Sequence, residues 1–183
     1  MNLTSALFTM TGPGIYYSDQ EFSNFSRDTI VFLKNAALQT PQKRARLCAH
    51  PNVEAEHHSM LIVLAQDSLV PPHRHSEKSE TMTVIEGQAD ALLFDDSGSV
   101  TRRVSMTTLD NGGSFSYYMP AGIYHTIIPR APWYVFVETT QGPFDERGME
   151  GPSWSPDFSD PEERARWFKK CDEVIASLSE EEL

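Results

Sequence analysis

PPHRHSEKSETMTVIEGQADALLFDDSG, residues 71–98, holds two histidines one residue apart, a glutamate five positions further on, and then two short apolar runs broken at Gly87. In an extended strand alternate side chains share a face, so His73 and His75 project to the same side. Glu80 opens the next run after the loop SEKS, and a hairpin brings it back beside the histidines. Gly87 then gives the following turn a position free of a Cβ. Downstream, in MPAGIYHTI (119–127), Pro120 and Gly122 build a tight turn that delivers His125 at the start of another run. His73, His75, Glu80 and His125 are therefore a candidate ligand set for one divalent metal ion. A lone H-x-H carries little weight, since exposed histidines are common; the weight lies in the ordered combination.

The surrounding sequence has the grammar of strands. From residue 44 onward, short stretches rich in Val, Ile, Thr, Tyr and Phe alternate with Pro, Gly, Asn and Asp. The expected strands are 44–50, 57–66, 69–75, 80–86, 89–95, 100–108, 114–119, 124–128 and 133–139. Many short strands at this spacing predict a mainly β fold, an antiparallel sandwich or barrel. Two helices flank it. Ser26 reads as an N-cap ahead of an amphipathic turn pattern at Ile30, Leu33 and Ala37, giving a helix over 26–40 that Pro41 ends. Asp160, Pro161 and Glu163 mark a second start, and Trp167, Phe168, Cys171, Val174, Ile175 and Leu178 make one apolar stripe over 160–178 that covers the β core. Residues 1–25 read as an N-terminal arm, 44–140 as the barrel, and 1–183 as a single domain.

Composition bounds the partners. With 15 Lys and Arg against 26 Asp and Glu, the formal net charge of −11 repels a polyanion, so nucleic-acid binding is not expected. No apolar run approaches the roughly 18 residues of a membrane span and no basic leader precedes one, so a cytoplasmic protein is expected. Cys48 and Cys171 lie far apart without a CxxC spacing and read as buried apolar filler. The acidic tail SEEEL reads as solvated surface.

The order H-x-H, four residues, E, six residues, G, and then P-x-G-x-x-H resembles the two-part metal signature of the cupin superfamily. Asp67 stands where that signature has a glycine, its second half begins one residue early at Gly113, and Pro129 stands where an Asn is usual. Taken with TPQKRARLCAH (40–50), VFVETTQGPFDERG (135–148) and WSP (154–156), the chain is similar to the WbuC-type cupin-fold metalloproteins over about residues 26–158. This resemblance implies a single cupin jelly-roll β-barrel and a place among surface-polysaccharide (O-antigen) genes. It also implies a metal site of His73, His75, Glu80 and His125, a sugar or sugar-nucleotide ligand, and a homodimer.

Three imidazoles and a carboxylate leave two positions open on an octahedral ion, whereas structural zinc sites are closed and thiolate-rich. Ligand type does not separate Fe, Mn, Ni and Zn. The resemblance implies an isomerase or epimerase step with the metal as Lewis acid; an iron-dependent dioxygenase and a non-catalytic small-ligand-binding module are the alternatives. Around the ion, Arg44 and Arg46 share one strand face and suit a carboxylate or phosphate. Lys78 lies between ligands, in reach of an anionic substrate, and is a candidate catalytic residue; Glu138 shares a face with Tyr134 and Phe136, which makes it a candidate for acid–base work. His58 shares parity with Met60, Ile62 and Leu64 and points inward as a pocket residue, while His57 points out; Tyr124 is a candidate to stack on a sugar face.

Overall fold

A computed structural model of the chain describes residues 7–145 and 148–178. The strands are β1 (Phe8–Gly12), β2 (Ile15–Ser18), β3 (Arg44–Cys48), β4 (His57–Ala65), β5 (Arg74–His75), β6 (Glu80–Glu86), β7 (Gln88–Phe94), β8 (Val100–Thr107), β9 (Ser116–Met119), β10 (Tyr124–Pro129), β11 (Trp133–Gln141) and β12 (Met149–Glu150). The helices are α1 (Arg27–Leu38) and α2 (Pro161–Ser177). A seven-stranded sheet runs β1-β2-β3-β4-β11-β6-β9, a three-stranded sheet runs β10-β7-β8, and β5 pairs with β12.

Each sheet buries one face against the other and one against a helix. Between the sheets, Leu64, Met82, Val84, Tyr134 and Phe136 meet Ala89, Ala91, Met106 and Ile127. On the far side of the large sheet, Leu33 and Ala37 of α1 pack on Ala45, Leu47, Leu61, Val63 and Val135. On the far side of the small sheet, Trp167 and Cys171 of α2 pack on Leu92, Phe94 and Ile128. Four layers result, α1, large sheet, small sheet, α2, and the alternation of apolar residues along each strand supplies both faces.

The fold is mainly β and of jelly-roll type, with two corrections to the expected architecture. The sheets face each other without joining by hydrogen bonds into a closed cylinder, so this is a sandwich rather than a barrel. One pairing, β2 with β3, is parallel. The arm read into residues 1–25 contains β1 and β2; its signal was the Gly-Pro-Gly turn between FTMT and IYYS. The expected strand 69–75 is reduced to β5 and one bridge between His73 and His125, because Pro71 and Pro72 have no N–H for a ladder.

Local signals set the helices. The Ser26 hydroxyl accepts from the Thr29 N–H and the Thr29 hydroxyl accepts from the Ser26 N–H, both at 3.3 Å, closing a capping box. Asp160 caps α2 by accepting from the Glu162 N–H, while Glu163 turns away to accept from the Asp157 N–H. Gly87 is the single residue between β6 of the large sheet and β7 of the small one. Its φ is +85°, and a Cβ there would lie 1.9 Å from the Trp133 carbonyl oxygen. Only glycine turns this corner. The acidic tail and residues 1–6 lie outside the described residues.

Candidate metal centre between the sheets

Three strands, β5, β6 and β10, and the bridge residue His73 just before β5 bring His73, His75, Glu80 and His125 to one place. His73 and His125 exchange backbone hydrogen bonds, 3.1 and 2.9 Å, and the Gly122 N–H of the Pro120–Gly122 turn donates to the His75 carbonyl at 2.8 Å. The two halves of the motif are thus knitted by backbone, and Glu80 enters from the facing sheet. Its Oε1 lies 3.1 Å from His125 Nε2 and its Oε2 lies 3.5 Å from His75 Nε2. Ring centroids are 4.5 Å apart for His73 and His125, 5.4 Å for His73 and His75, and 6.3 Å for His75 and His125.

Hydrogen bonds decide which nitrogens face inward. His73 Nδ1 is 2.9 Å from the Pro71 carbonyl and His125 Nδ1 is 3.0 Å from the Ile123 carbonyl. A carbonyl oxygen only accepts, so Nδ1 carries the hydrogen in both rings. In the neutral ring Nε2 then presents its lone pair, the arrangement that second-shell carbonyls impose on metal-binding histidines. Burial, reinforced by His125, lowers the pKa of His73 to about 4, and burial also lowers His75. Burial disfavours charge on His125 and Glu80 as well, but their mutual hydrogen bond and attraction outweigh it, raising His125 and lowering Glu80.

Two donors that share an ion at about 2.1 Å stand about 3.0 Å apart when cis, and two such imidazole centroids stand about 4.6 Å apart when cis and 6.5 Å when trans. The separations here fit those spans, and nitrogen and carboxylate donors suit a divalent first-row ion. As they stand the groups pair with one another: among the described residues no three His, Cys, Asp or Glu side chains form a ready cation shell. An ion would replace the proton shared by His125 and Glu80.

Register defines what else faces this space. On the inner face of the large sheet one row runs Arg46, Ile62, Phe136, Val84; the next runs Cys48, Met60, Glu138, Met82, Tyr117; the next runs His58, Thr140, Glu80, Met119. Arg44, Arg46, His58 and Glu138 therefore share the face that carries Glu80. Burial, and then the charge of Glu80, raises the Glu138 carboxyl to about 8. The Tyr117 hydroxyl and Arg46 Nε are buried without a hydrogen-bond partner among the described residues. His58 is buried and its ring stacks on His50, centroids 4.0 Å apart, whereas His57 is exposed.

Two expected site residues point elsewhere. Tyr124 alternates with His125 along β10 and so lies on the opposite face, against Trp154 and beneath the Arg74 guanidinium. Strand alternation already separates the two tyrosine and histidine faces. The Lys78 ammonium donates to the Pro143 carbonyl and stands over the Phe144 ring, which ties it to the segment after β11. Sequence reading missed that this segment continues into β12, where Met149 pairs with His75 and Ser76 N–H donates to the Gly148 carbonyl. A two-residue strand leaves no periodic signal. Two surface hollows, of about 260 Å³ beside Trp154 and Trp167 and about 670 Å³ beside α1, are lined by none of the four cluster residues.

A family model described as a domain of unknown function, DUF6016, matches residues 25–106, less than half of the chain. No curated protein matches. Among solved structures, an oxalate oxidase in complex with the substrate analogue glycolate is 14% identical with a TM-score of 0.48, covering 61% of this chain and 56% of that one. A mutant oxalate decarboxylase of Bacillus subtilis is 20% identical with a TM-score of 0.44, covering 52% and 24%. An uncharacterized conserved protein with a double-stranded β-helix domain from Klebsiella pneumoniae is 18% identical with a TM-score of 0.46, covering 60% and 79%. The chain thus spans little more than half of the oxidase and a quarter of the decarboxylase. Likenesses this weak say nothing about what the chain binds. Among the described residues no helix is long and apolar enough to cross a membrane.

Proposed function

We propose that His73, His75, Glu80 and His125 hold one divalent first-row metal ion and that the chain is a cupin-type metalloprotein handling a small polar molecule. The observation that carries this reading is the commitment of both His73 Nδ1 and His125 Nδ1 to backbone carbonyls, which leaves Nε2 of each ring as the atom to bind an ion, that of His125 already 3.1 Å from Glu80 Oε1. Bound there, the ion would polarise a carbonyl or hydroxyl oxygen and lower the pKa of a bound water. The chain's own groups supply the rest. Glu138, protonated up to about pH 8, holds a proton in the same space and is the candidate general acid. The resemblance to WbuC-type proteins makes a sugar or sugar nucleotide of surface-polysaccharide synthesis the substrate class, with an isomerase or epimerase step.

Elemental analysis of protein purified without added metal tests the centre. About one ion per chain is expected in the wild type and a large loss in His75→Ala. A wild type without stoichiometric metal, or a variant holding as much, overturns the assignment.

A further inference from the structure

Three partly buried arginines reach carboxylates. Arg103 and Arg130 both reach the buried Asp90, at 2.8 and 2.6 Å, and Arg74 reaches Glu150 at 2.7 Å. Arg44 and Arg46 differ. Both are part-buried on the inner face of β3, and no salt bridge joins either to a described carboxylate, in a chain with 26 acidic residues. Burial and the charge of Arg46 lower the pKa of Arg44, which shows how close two like charges have been set. Among the described residues Arg46 Nε has no hydrogen-bond partner, nor has the Tyr117 hydroxyl on the same face. Glu138 in the next row feels the charge of Arg46 but forms no ion pair with it, and two adjacent cations with an orphaned Nε are costly to keep in a folded interior with no closer counterpart. A protein gains by such an arrangement when a ligand completes it.

Position sets the ligand's shape. Arg46 lies two rows from Glu80 on the inner face, with the Glu138 row between them. At about 3.3 Å per residue the two rows are about 13 Å apart along the strands, and β3 and β6 stand three strand spacings, about 14 Å, apart across the sheet, a gap the long arginine side chain shortens. We infer that Arg46, backed by Arg44, receives the carboxylate or phosphate of an elongated ligand whose other end reaches the His73–His75–Glu80–His125 cluster. The planar guanidinium suits either anion by paired N–H donors, and the Tyr117 hydroxyl, on β9 beyond β6, supplies a further donor at the cluster end. A neutral sugar leaves all three unsatisfied. The far end of this ligand rests on the metal reading proposed above; the anion end does not.

The test uses the full chain and three probes at constant ionic strength: D-glucuronate, D-glucose 6-phosphate and D-glucose. Thermal unfolding and calorimetric titration are read on the wild type, Arg46→Met, Arg46→Lys, and Arg166→Met as an exposed control on α2. At least one anionic probe should raise the wild-type melting temperature while glucose does not, and which one does separates carboxylate from phosphate. Arg46→Met should weaken that binding by about tenfold or more, the loss expected of one bidentate charged contact. Arg46→Lys should retain part of it and Arg166→Met all of it. Without probe, Arg46→Met should melt no lower than the wild type, because no partner is lost; a merely structural arginine would lower it. The proposal is overturned if neither anion stabilises the wild type, or if Arg46→Met responds as the wild type does. In His75→Ala the anion response should persist although the metal is lost, and a wild type that holds no metal yet keeps the anion response overturns the metal reading alone. A response that vanishes with the metal and survives Arg46→Met assigns the anion to the ion instead.

Discussion

His50 and His58 stack with their planes 3° apart, and burial, helped by the charge of His58, lowers the His50 pKa to about 4. Burial lowers His73 to about 4 as well. In the unfolded chain these rings take up protons near pH 6.5, so between about 6.5 and 4 the unfolded state binds more protons than the folded one. Their contribution to stability is complete above pH 6.5 and is lost as pH falls towards 4, with a slope of up to about 1.4 kcal/mol per pH unit for each ring. Urea unfolding of metal-free protein should show a lower midpoint at pH 5 than at pH 7, and His50→Asn should flatten that dependence. An unchanged dependence would place the titrating groups elsewhere. Gly87 is a second single-residue lever. Gly87→Ala pushes a methyl into the Trp133 carbonyl at a φ of +85°, so a loss of at least about 2 kcal/mol is expected in the same measurement.

Helices are held here by caps at their ends and by one ionic anchor. Ser26→Ala removes half of the capping box of α1 and should cost about 1 kcal/mol. Helix α2 is tied to the small sheet through Asp90, which accepts from Arg103 and Arg130, while Arg130 also reaches Asp172 on the helix at 2.6 Å. Asp90 is buried, so Asp90→Asn leaves two guanidiniums short of their counter-charge and should cost about 3 kcal/mol. Asp172 is largely exposed, and Asp172→Asn should cost less than about 1 kcal/mol. Tryptophan fluorescence follows both variants, since Trp154 and Trp167 stack beside this anchor. Equal losses would show that Asp90 is not the centre of the network. The caps were legible in the sequence because they act within three residues. The Asp90 network was not, because its members lie 13 and 40 residues away.

The four-layer arrangement places the strands of highest burial in the middle. Strands β4 and β11 pair over nine residues and contribute to both faces of the large sheet. Strands β1 and β2 reach that sheet through the short parallel pairing of β2 with β3. Amides of β1 and β2 are therefore expected to exchange with solvent well before those of β4 and β11, as read by hydrogen exchange and mass spectrometry. Uniform protection would show that the edge hairpin belongs to the main cooperative unit. The excess of 26 acidic over 15 basic residues gives the molecule its net charge of −11, and against that background Arg44 and Arg46, in no ion pair among the described residues, form a positive spot on the inner face.

Short-range chemistry determined what could be read directly: the capped helices, most strand limits, the spacing of His73, His75 and Glu80, and the turn that presents His125. Alternation also tells which side chains share a face, and it separates Tyr124 from His125. It does not tell which face will be enclosed or what will stand opposite. Only tertiary packing decided that Glu80 reaches two imidazoles from the facing sheet. Packing also turned Lys78 towards Pro143 and left Arg46 and Tyr117 buried with donors unmet. Those outcomes depend on pairing between residues far apart along the chain, where a partner's presence or absence leaves no local pattern to read.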